Sequence, residues 1–312
     1  MKRSFAMLSV VIPAYNEEKM IGKAADAIEE PLIREGIAYE LLFIDDGSTD
    51  GTWKRIHGRA KEDDKIRGIR FSKNFGKESA IFAGLAYAEG DCVVVIDCDL
   101  QHPPEKIIEM YRLWEEGYEV IEGIKADRGE ESKFHSFAAA CFYHIISKAA
   151  QVDMEKASDF KLLDRQAVNV LLNMREQKAF FRALSSWIGF KTASVEFDVA
   201  KREEGTTKWT TWSLMKYAIS NIASFSAAPM QIVTVLGGIM LLFSLILGTV
   251  ALFQKIGGIA LEGFTTVIII QLFTGSIIMM SLGIIGYYIA RIYDEIKGRP
   301  RYIISKKCGY DK

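Results

Sequence analysis

Over roughly the first two hundred residues, short apolar runs alternate with amphipathic stretches. Leu8–Ile12, Glu40–Ile44, Ile66–Phe71, Cys92–Ile96 and Glu119–Glu122 predict strands. The first four are rich in Val, Ile, Leu or Phe, as strands covered on both faces are. Glu17–Glu30, Asp50–Asp63, Gly76–Glu89 and Pro103–Glu116 predict the helices between them, the last opening on a Pro pair suited to a helix start. Strand–helix alternation of this kind predicts a Rossmann-like α/β fold with a mostly parallel sheet. Such sheets bind ligands at the carboxyl ends of their strands.

The last third has a different pattern. No charged residue occurs over the 24 positions Met230–Phe253 or the 27 positions Phe264–Ala290. A helix of about 20 apolar residues crosses a hydrocarbon core of about 30 Å, so two transmembrane helices are expected, at about 230–253 and 264–290. Thr207–Ala228 interleaves Trp209, Trp212, Tyr217 and Phe225 with Lys208 and Lys216, a mixture suited to the headgroup layer. It predicts an interfacial amphipathic helix at 207–228. Ser132–Ala150, rich in Phe and Ile, fits either a second surface-resting helix or a core helix. The division expected is a catalytic domain at 1–206, the interfacial helix, two spans within 229–290 and a basic tail at 291–312.

Charge fixes the orientation. The tail carries Arg291, Lys297, Arg299, Arg301, Lys306, Lys307 and Lys312, whereas the link between the spans holds only Lys255 and Glu262. The positive-inside rule puts both termini and the catalytic domain in the cytoplasm of an integral membrane protein. The whole chain has 39 Lys and Arg against 40 Asp and Glu, which argues against a nucleic-acid partner. Four scattered cysteines form no C-x-x-C pair and fit a reducing compartment. The N-terminal apolar run is short and is followed at once by Pro13 and two acids, so it predicts a buried strand and not a signal peptide.

Candidate chemistry lies at the strand ends. Asp97-Cys98-Asp99 directly follows the fourth strand, and two carboxylates one residue apart can reach one hard cation, Mg²⁺ or Mn²⁺. Taken alone, the triplet could equally be a solvated acidic turn. Asp45-Asp46-Gly47-Ser48 follows the second strand, where an acid can accept hydrogen bonds from a ribose or base, and Asp-Gly also signals a turn. Gly76-Lys77 lacks the glycine five positions earlier that a phosphate-binding P-loop needs. The four histidines make no zinc spacing with the cysteines.

Together these residues resemble glycosyltransferase family 2, enzymes of the GT-A fold. Further blocks narrow the resemblance to its polyprenyl-phosphate (bactoprenol and dolichyl-phosphate) branch: Ser72-Lys73-Asn74-Phe75-Gly76-Lys77, DCDLQHPPE from Asp97 to Glu105, Ala157 through Arg165, and Arg202 through Trp209. The resemblance implies inverting transfer of one sugar from a nucleotide-sugar, UDP-glucose first and GDP-mannose or a UDP-N-acetylhexosamine as alternatives, to a polyprenyl phosphate such as undecaprenyl phosphate. It implies that Pro13, Tyr15, Glu17, Asp45, Asp46 and Asp97 line the donor pocket. Asp97, Asp99 and Gln101 would hold Mg²⁺ or Mn²⁺. Asp159, with Asp97, would be catalytic. Lys125, Arg128, Ser132, Arg202 and Lys208 would receive donor and acceptor phosphates, with Lys125 standing where the branch commonly has Arg. Relatives also imply a homo-oligomer assembled through the membrane helices. Two rivals are a processive polysaccharide synthase, disfavoured because Gln177 through Arg182 does not form Q-x-x-R-W, and an inactive membrane scaffold, disfavoured by the retained acids.

Overall fold

The computed structural model describes residues 6–125, 158–174, 176, 180–198, 228–257 and 263–310. The chain forms two compact units, one of Met1–Met215 with Arg299–Lys312, the other Lys216–Gly298.

The first unit is built on an eight-stranded sheet with strand order β7-β5-β6-β4-β1-β2-β3-β8. Its centre is parallel: β1 (Met7–Ala14) lies between β2 (Ala38–Asp45) and β4 (Cys92–Val95), and β3 (Ile66–Phe71) extends it beyond β2. Helices α1 (Met20–Arg34), α2 (Thr52–Glu62), α3 (Lys77–Tyr87) and α4 (Lys106–Glu115) cross between these strands, as the alternation predicts. Val10, Val11 and Ile12 on β1, Leu41–Ile44 on β2 and Val93–Val95 on β4 are fully buried, which explains their near-continuous apolar runs. Strand order reverses between β1 and β4, and such a switch point opens a crevice at the carboxyl ends.

Helix α1 starts three residues later than the pattern predicts, and the Glu17 amide ahead of it is bonded to Thr52 Oγ1 in the neighbouring loop. It also runs four residues further, through Pro31, which is buried together with Leu32. The lost hydrogen bond falls in the last turns, where packing offsets it.

The fold beyond β5 (Val120–Lys125) was not visible in the apolar pattern. Strand β6 (Lys161–Asp164) inserts antiparallel between β4 and β5, β7 (Thr192–Phe197) closes the edge beside β5, and helices α5 (Arg165–Asn173) and α6 (Phe181–Trp187) connect them. Much of the block from Ala157 to Arg165 is therefore structural. Asp164 caps α5 through the Gln166 amide and accepts from buried Trp114 Nε1 at 2.8 Å, and Arg165 Nε donates to Gly90 O at 2.8 Å.

The C-terminal segment corrects the sequence reading. Instead of a plain basic tail, its end forms β8 (Ile304–Cys308), which pairs antiparallel with β3. Lys306 and Lys307 belong to an edge strand, where lysines discourage pairing with foreign strands.

The second unit consists of α7 (Ala228–Ile256) and α8 (Phe264–Ile296). Large apolar side chains stay exposed along both, among them Leu242, Ile246, Met279 and Leu282. Among the described residues one helical segment, Phe273–Ile296, is long and apolar enough to cross a membrane. The apolar stretch Val235–Val250 of α7 is shorter. Of the two spans expected, one meets the length and composition test. Helix α8 also runs six residues beyond the predicted end at 290. The interfacial helix expected at 207–228 and the surface helix considered at Ser132–Ala150 lie outside the described residues, apart from Ala228, which opens α7.

Candidate active site

A cleft of about 360 Å³ opens at the carboxyl ends of β1, β2 and β4, on the switch point of the sheet. Pro13, Tyr15 and Glu17 line it from β1, Asp46 from β2, and Asp97 with Asp99 from β4. Six sequence-predicted residues from three loops thus share one cavity. A larger hollow of about 620 Å³, bounded by His57, Arg67, Glu89 and Tyr310, lies beside β3 and β8 at one edge of the sheet. None of the predicted residues lines it, and strand-end chemistry points to the smaller cleft.

Each loop is held by its own sequence. Asn16, at φ 56°, turns the chain away from β1, and its side-chain oxygen accepts from the Thr49 amide at 2.9 Å. Asn tolerates this left-handed region better than most residues. Asp46 is buried and accepts from the Phe75 and Gly76 amides at 2.6 and 2.9 Å. Burial raises its carboxyl above the usual range, and those two amides oppose the rise. The Phe75 loop can approach because residue 47 is glycine: a Cβ there would lie 2.3 Å from the Lys73 carbonyl carbon. Leu100, at φ 56°, bends the chain after Asp99, whose carboxylate accepts from the Gln101 amide at 3.2 Å. A leucine in this region is strained, and such strain is concentrated at functional sites.

Asp45 departs from the sequence reading. It is fully buried, accepts from the Ser48 amide at 2.8 Å and pairs with Arg70 Nε at 3.3 Å. It is absent from the cleft lining and shapes the turn that presents Asp46. Lys125 is exposed at the end of β5 and likewise does not line the cleft. Arg128, Ser132, Arg202 and Lys208 lie outside the described residues.

Asp159 reaches the acidic cluster from the turn before β6. Ser158 Oγ donates to Gly123 O at 2.6 Å, and the Gly123 amide donates to Phe160 O at 2.8 Å, which pins that turn to β5. Two cations then grip the carboxylate: Lys77 Nζ at 2.9 Å and Arg182 Nε at 3.2 Å. Burial by itself would raise the Asp159 carboxyl. Lys77 and Arg182 outweigh burial and hold it far below the usual carboxylate range. The same Lys77 ammonium lies 2.7 Å from Asp97 Oδ1, so one side chain joins acids from two separate strands.

Neither Lys77 nor Arg182 was assigned a role from the sequence. Lys77 falls inside the block beginning at Ser72, which was the available signal. Arg182 had none, since its relation to Asp159 arises only when α6 packs beside β6. Behind Arg182, the fully buried Lys161 donates to Glu122 Oε1 at 2.6 Å, Ser186 Oγ at 2.9 Å and the Arg182 carbonyl at 3.2 Å. Glu78 accepts from the Phe181 amide at 2.8 Å. Burial, together with the nearby Asp159 charge, raises its carboxyl well above the usual range. His102 stacks on Phe160 at 5.1 Å, and burial lowers its pKa. The Cys98 thiol is buried between the two acids and raised by that burial, which makes it a packing residue.

Asp97 and Asp99 line the cleft with carboxylate oxygens suited to a hard cation, whereas Gln101, the third ligand expected, is absent from its lining. Among the described residues no three His, Cys, Asp or Glu side chains are grouped to enclose a metal ion. The pair therefore fits a cation that completes its shell with phosphate or water, as Mg²⁺ and Mn²⁺ do.

Residues 9–173 match the family model for glycosyl transferase family 2. This chain belongs to glycosyltransferase family 2. It is 36% identical over 306 residues to an uncharacterized glycosyltransferase of Synechocystis sp., covering 97% of this chain and 96% of that one. To a prophage bactoprenol glucosyl transferase homolog of Escherichia coli it is 35% identical over 301 residues, covering 96% and 98%. To the bactoprenol glucosyl transferase of Shigella phage SfV it is 33% identical over 302 residues, again covering 96% and 98%. The family 2 enzyme is similar in fold to glucosyl-3-phosphoglycerate synthase from Mycobacterium tuberculosis, solved with Mn²⁺, UDP and phosphoglyceric acid. The TM-score is 0.50 at 22% identity, over 71% of this chain and 78% of that one. The first unit thus has a GT-A-like α/β fold, as the family resemblance implies, and the protein is a glycosyltransferase.

Proposed function

We propose that this enzyme transfers one glucose, with inversion, from UDP-glucose to a polyprenyl phosphate at the cytoplasmic face of a membrane. The observation that carries the reading is the joining of Asp97, which lines the cleft at the β1/β4 switch point, to Asp159 through Lys77, in a chain similar over nearly its whole length to bactoprenol glucosyl transferases. Pro13, Tyr15, Glu17 and Asp46 receive the nucleotide. Asp97, Asp99 and Gln101 hold Mg²⁺ or Mn²⁺, which when bound neutralises the diphosphate leaving group.

The grip of Lys77 and Arg182 on Asp159 bears on its role. A carboxylate held so far below neutrality is a poor proton acceptor, and an acceptor phosphate already anionic at neutral pH needs little help from a base. Asp159 acts by charge and position, facing the positive charge that develops on the sugar in an oxocarbenium-like transition state. Oriented reactants can gain roughly 7–11 kcal/mol. Lys125, Arg128, Ser132, Arg202 and Lys208 receive donor and acceptor phosphates.

The sheet supports a two-span topology. Because β7 and β8 belong to one sheet, the chain up to β7 and the chain after α8 lie on the same side of any membrane. A crossing by α8 then requires a second crossing, which we assign to the charge-free stretch of α7. The basic residues place that shared side in the cytoplasm. A polyprenyl chain, burying carbons at about 0.8 kcal/mol per CH₂, stays in the bilayer, so the catalytic unit is anchored where its acceptor is.

The test is a panel of radiolabelled nucleotide-sugars offered with undecaprenyl phosphate, with and without Mg²⁺ or Mn²⁺. Transfer of a single glucose to the lipid is expected. Labelling only from another nucleotide-sugar would replace the donor, and multiple additions per lipid would replace the reaction by polymer synthesis.

A further inference from the structure

The ion pairs of Lys77 say more than the donor pocket requires, and the step drawn here rests on the reaction proposed above. Lys77 Nζ lies 2.7 Å from Asp97 and 2.9 Å from Asp159. Among the described residues lining the cleft it is the sole cation, facing Glu17, Asp46, Asp97 and Asp99. Its two carboxylate partners differ in freedom. Asp159 is held at its other oxygen by Arg182, whereas Asp97 is a proposed ligand of the incoming cation. The Lys77 side chain is 42% exposed on a four-carbon stem, so its ammonium can move while its backbone stays fixed in the first turn of α3.

Charge bookkeeping gives this arrangement a direction. Asp97 and Asp159 carry two negative charges, and Lys77 and Arg182 carry two positive ones. A divalent cation entering alone would meet an ammonium already on Asp97. A cation entering with a nucleoside diphosphate adds little net charge and offers the ammonium a phosphate oxygen in exchange.

We propose that Lys77 is an internal counter-cation that occupies Asp97 while the cleft lacks donor. It moves from Asp97 to a donor phosphate oxygen when metal and nucleotide enter together, keeping its bond to Asp159. The exchange makes metal binding depend on the nucleotide, and it puts a positive charge on the leaving group beside the carboxylate that faces the sugar.

Mn²⁺ binding to the purified full chain in detergent, followed by the paramagnetic resonance of free Mn²⁺ with and without UDP, tests this without reliance on turnover. Lys77→Met should bind Mn²⁺ alone at least about tenfold tighter than the wild type, since a unit charge of the same sign beside the ion is removed. The enhancement of Mn²⁺ affinity by UDP should shrink by a similar factor. Lys77→Arg should keep the wild-type dependence on UDP. Turnover of Lys77→Met should fall at least about a hundredfold in kcat, with a smaller change in the donor KM. Lys77→Gln gives a second uncharged variant should the methionine substitution fail to fold. A folded, uncharged variant that binds Mn²⁺ alone no tighter than the wild type overturns the inference. Should the wild type transfer no sugar while Lys77→Met still tightens Mn²⁺, the proposed reaction falls and the counter-cation assignment stands.

Discussion

Tyr302 lies flat against Phe71, with ring centroids 5.0 Å apart and planes 9° from parallel. Phe71 in turn meets Phe75 edge-on at 5.8 Å, and the Phe75 amide is bonded to Asp46 in the donor cleft. The segment after α8 therefore buttresses a cleft loop from behind, and Ser72 and Ile303 are joined by a backbone hydrogen bond of 2.9 Å. Replacing Tyr302 by Ala should cost about 1–2 kcal/mol of stability, part of it the stacking itself. It should also raise the donor KM more than it lowers kcat. Thermal melts and steady-state kinetics on the same preparation check both. A melt and KM equal to wild type would mean the stack supports nothing.

The buried pair Lys161–Glu122 invites a double substitution. Lys161→Met leaves the Glu122 carboxylate without its ammonium and frees the Arg182 carbonyl. A loss of about 3–5 kcal/mol is expected, the usual cost of breaking a buried pair from one side. Adding Glu122→Leu should recover much of it. Urea unfolding of the wild type, both single variants and the double gives the coupling, and simple additivity would contradict the pairing.

Gly47 and Gly36 offer a matched comparison. Both have left-handed φ, +69° and +66°, but a Cβ at Gly36 meets open space while one at Gly47 strikes the Lys73 backbone. Gly36→Ala should cost about 1–2 kcal/mol, the conformational penalty alone. Gly47→Ala should cost more and weaken UDP binding, because displacing the Lys73–Asn74 peptide pulls the Phe75 and Gly76 amides away from Asp46. Melting temperatures and UDP titration of the two variants decide it.

Glu78 sets a pH dependence. Its carboxyl is raised in the fold, so between the unfolded value and the folded one the native state holds a proton that the unfolded chain has lost. That contribution is fully present below the unfolded pKa and is lost as pH rises through the folded value, near 8. Glu78→Gln cannot lose it. The melting temperature of Glu78→Gln relative to wild type should therefore climb between about pH 5 and pH 9. A difference independent of pH would exclude the raised carboxyl.

Removing the metal should silence the enzyme without unfolding it. EDTA is expected to abolish transfer, Mg²⁺ or Mn²⁺ to restore it, and Asp99→Ala to lower turnover by at least about a hundredfold while leaving the melt within a few degrees of wild type. Full turnover in EDTA would remove the cation from the mechanism.

Much of this enzyme was legible in the order of its residues. Strands buried on both faces must be apolar throughout, so β1 to β4 stand out as runs, and chain direction alone puts Pro13, Glu17, Asp46, Asp97 and Asp99 at their carboxyl ends. The charge-free stretches were equally plain, because a helix without polar positions has few places to be. What lay beyond the sequence depended on distant pairing. Strand β6 is only four residues long, β8 follows a helix of 33 residues, and the pairing of β8 with β3 joins positions more than two hundred residues apart. No local period encodes such contacts. For the same reason the sequence could present Asp45 and Asp46 only as a pair. The packing of Arg70 and the Phe75 loop assigned one to the turn and the other to the cleft. Only the folded sheet brings Lys77 and Arg182 onto Asp159, because an ion pair depends on where the backbone places its partners and not on their spacing along the chain.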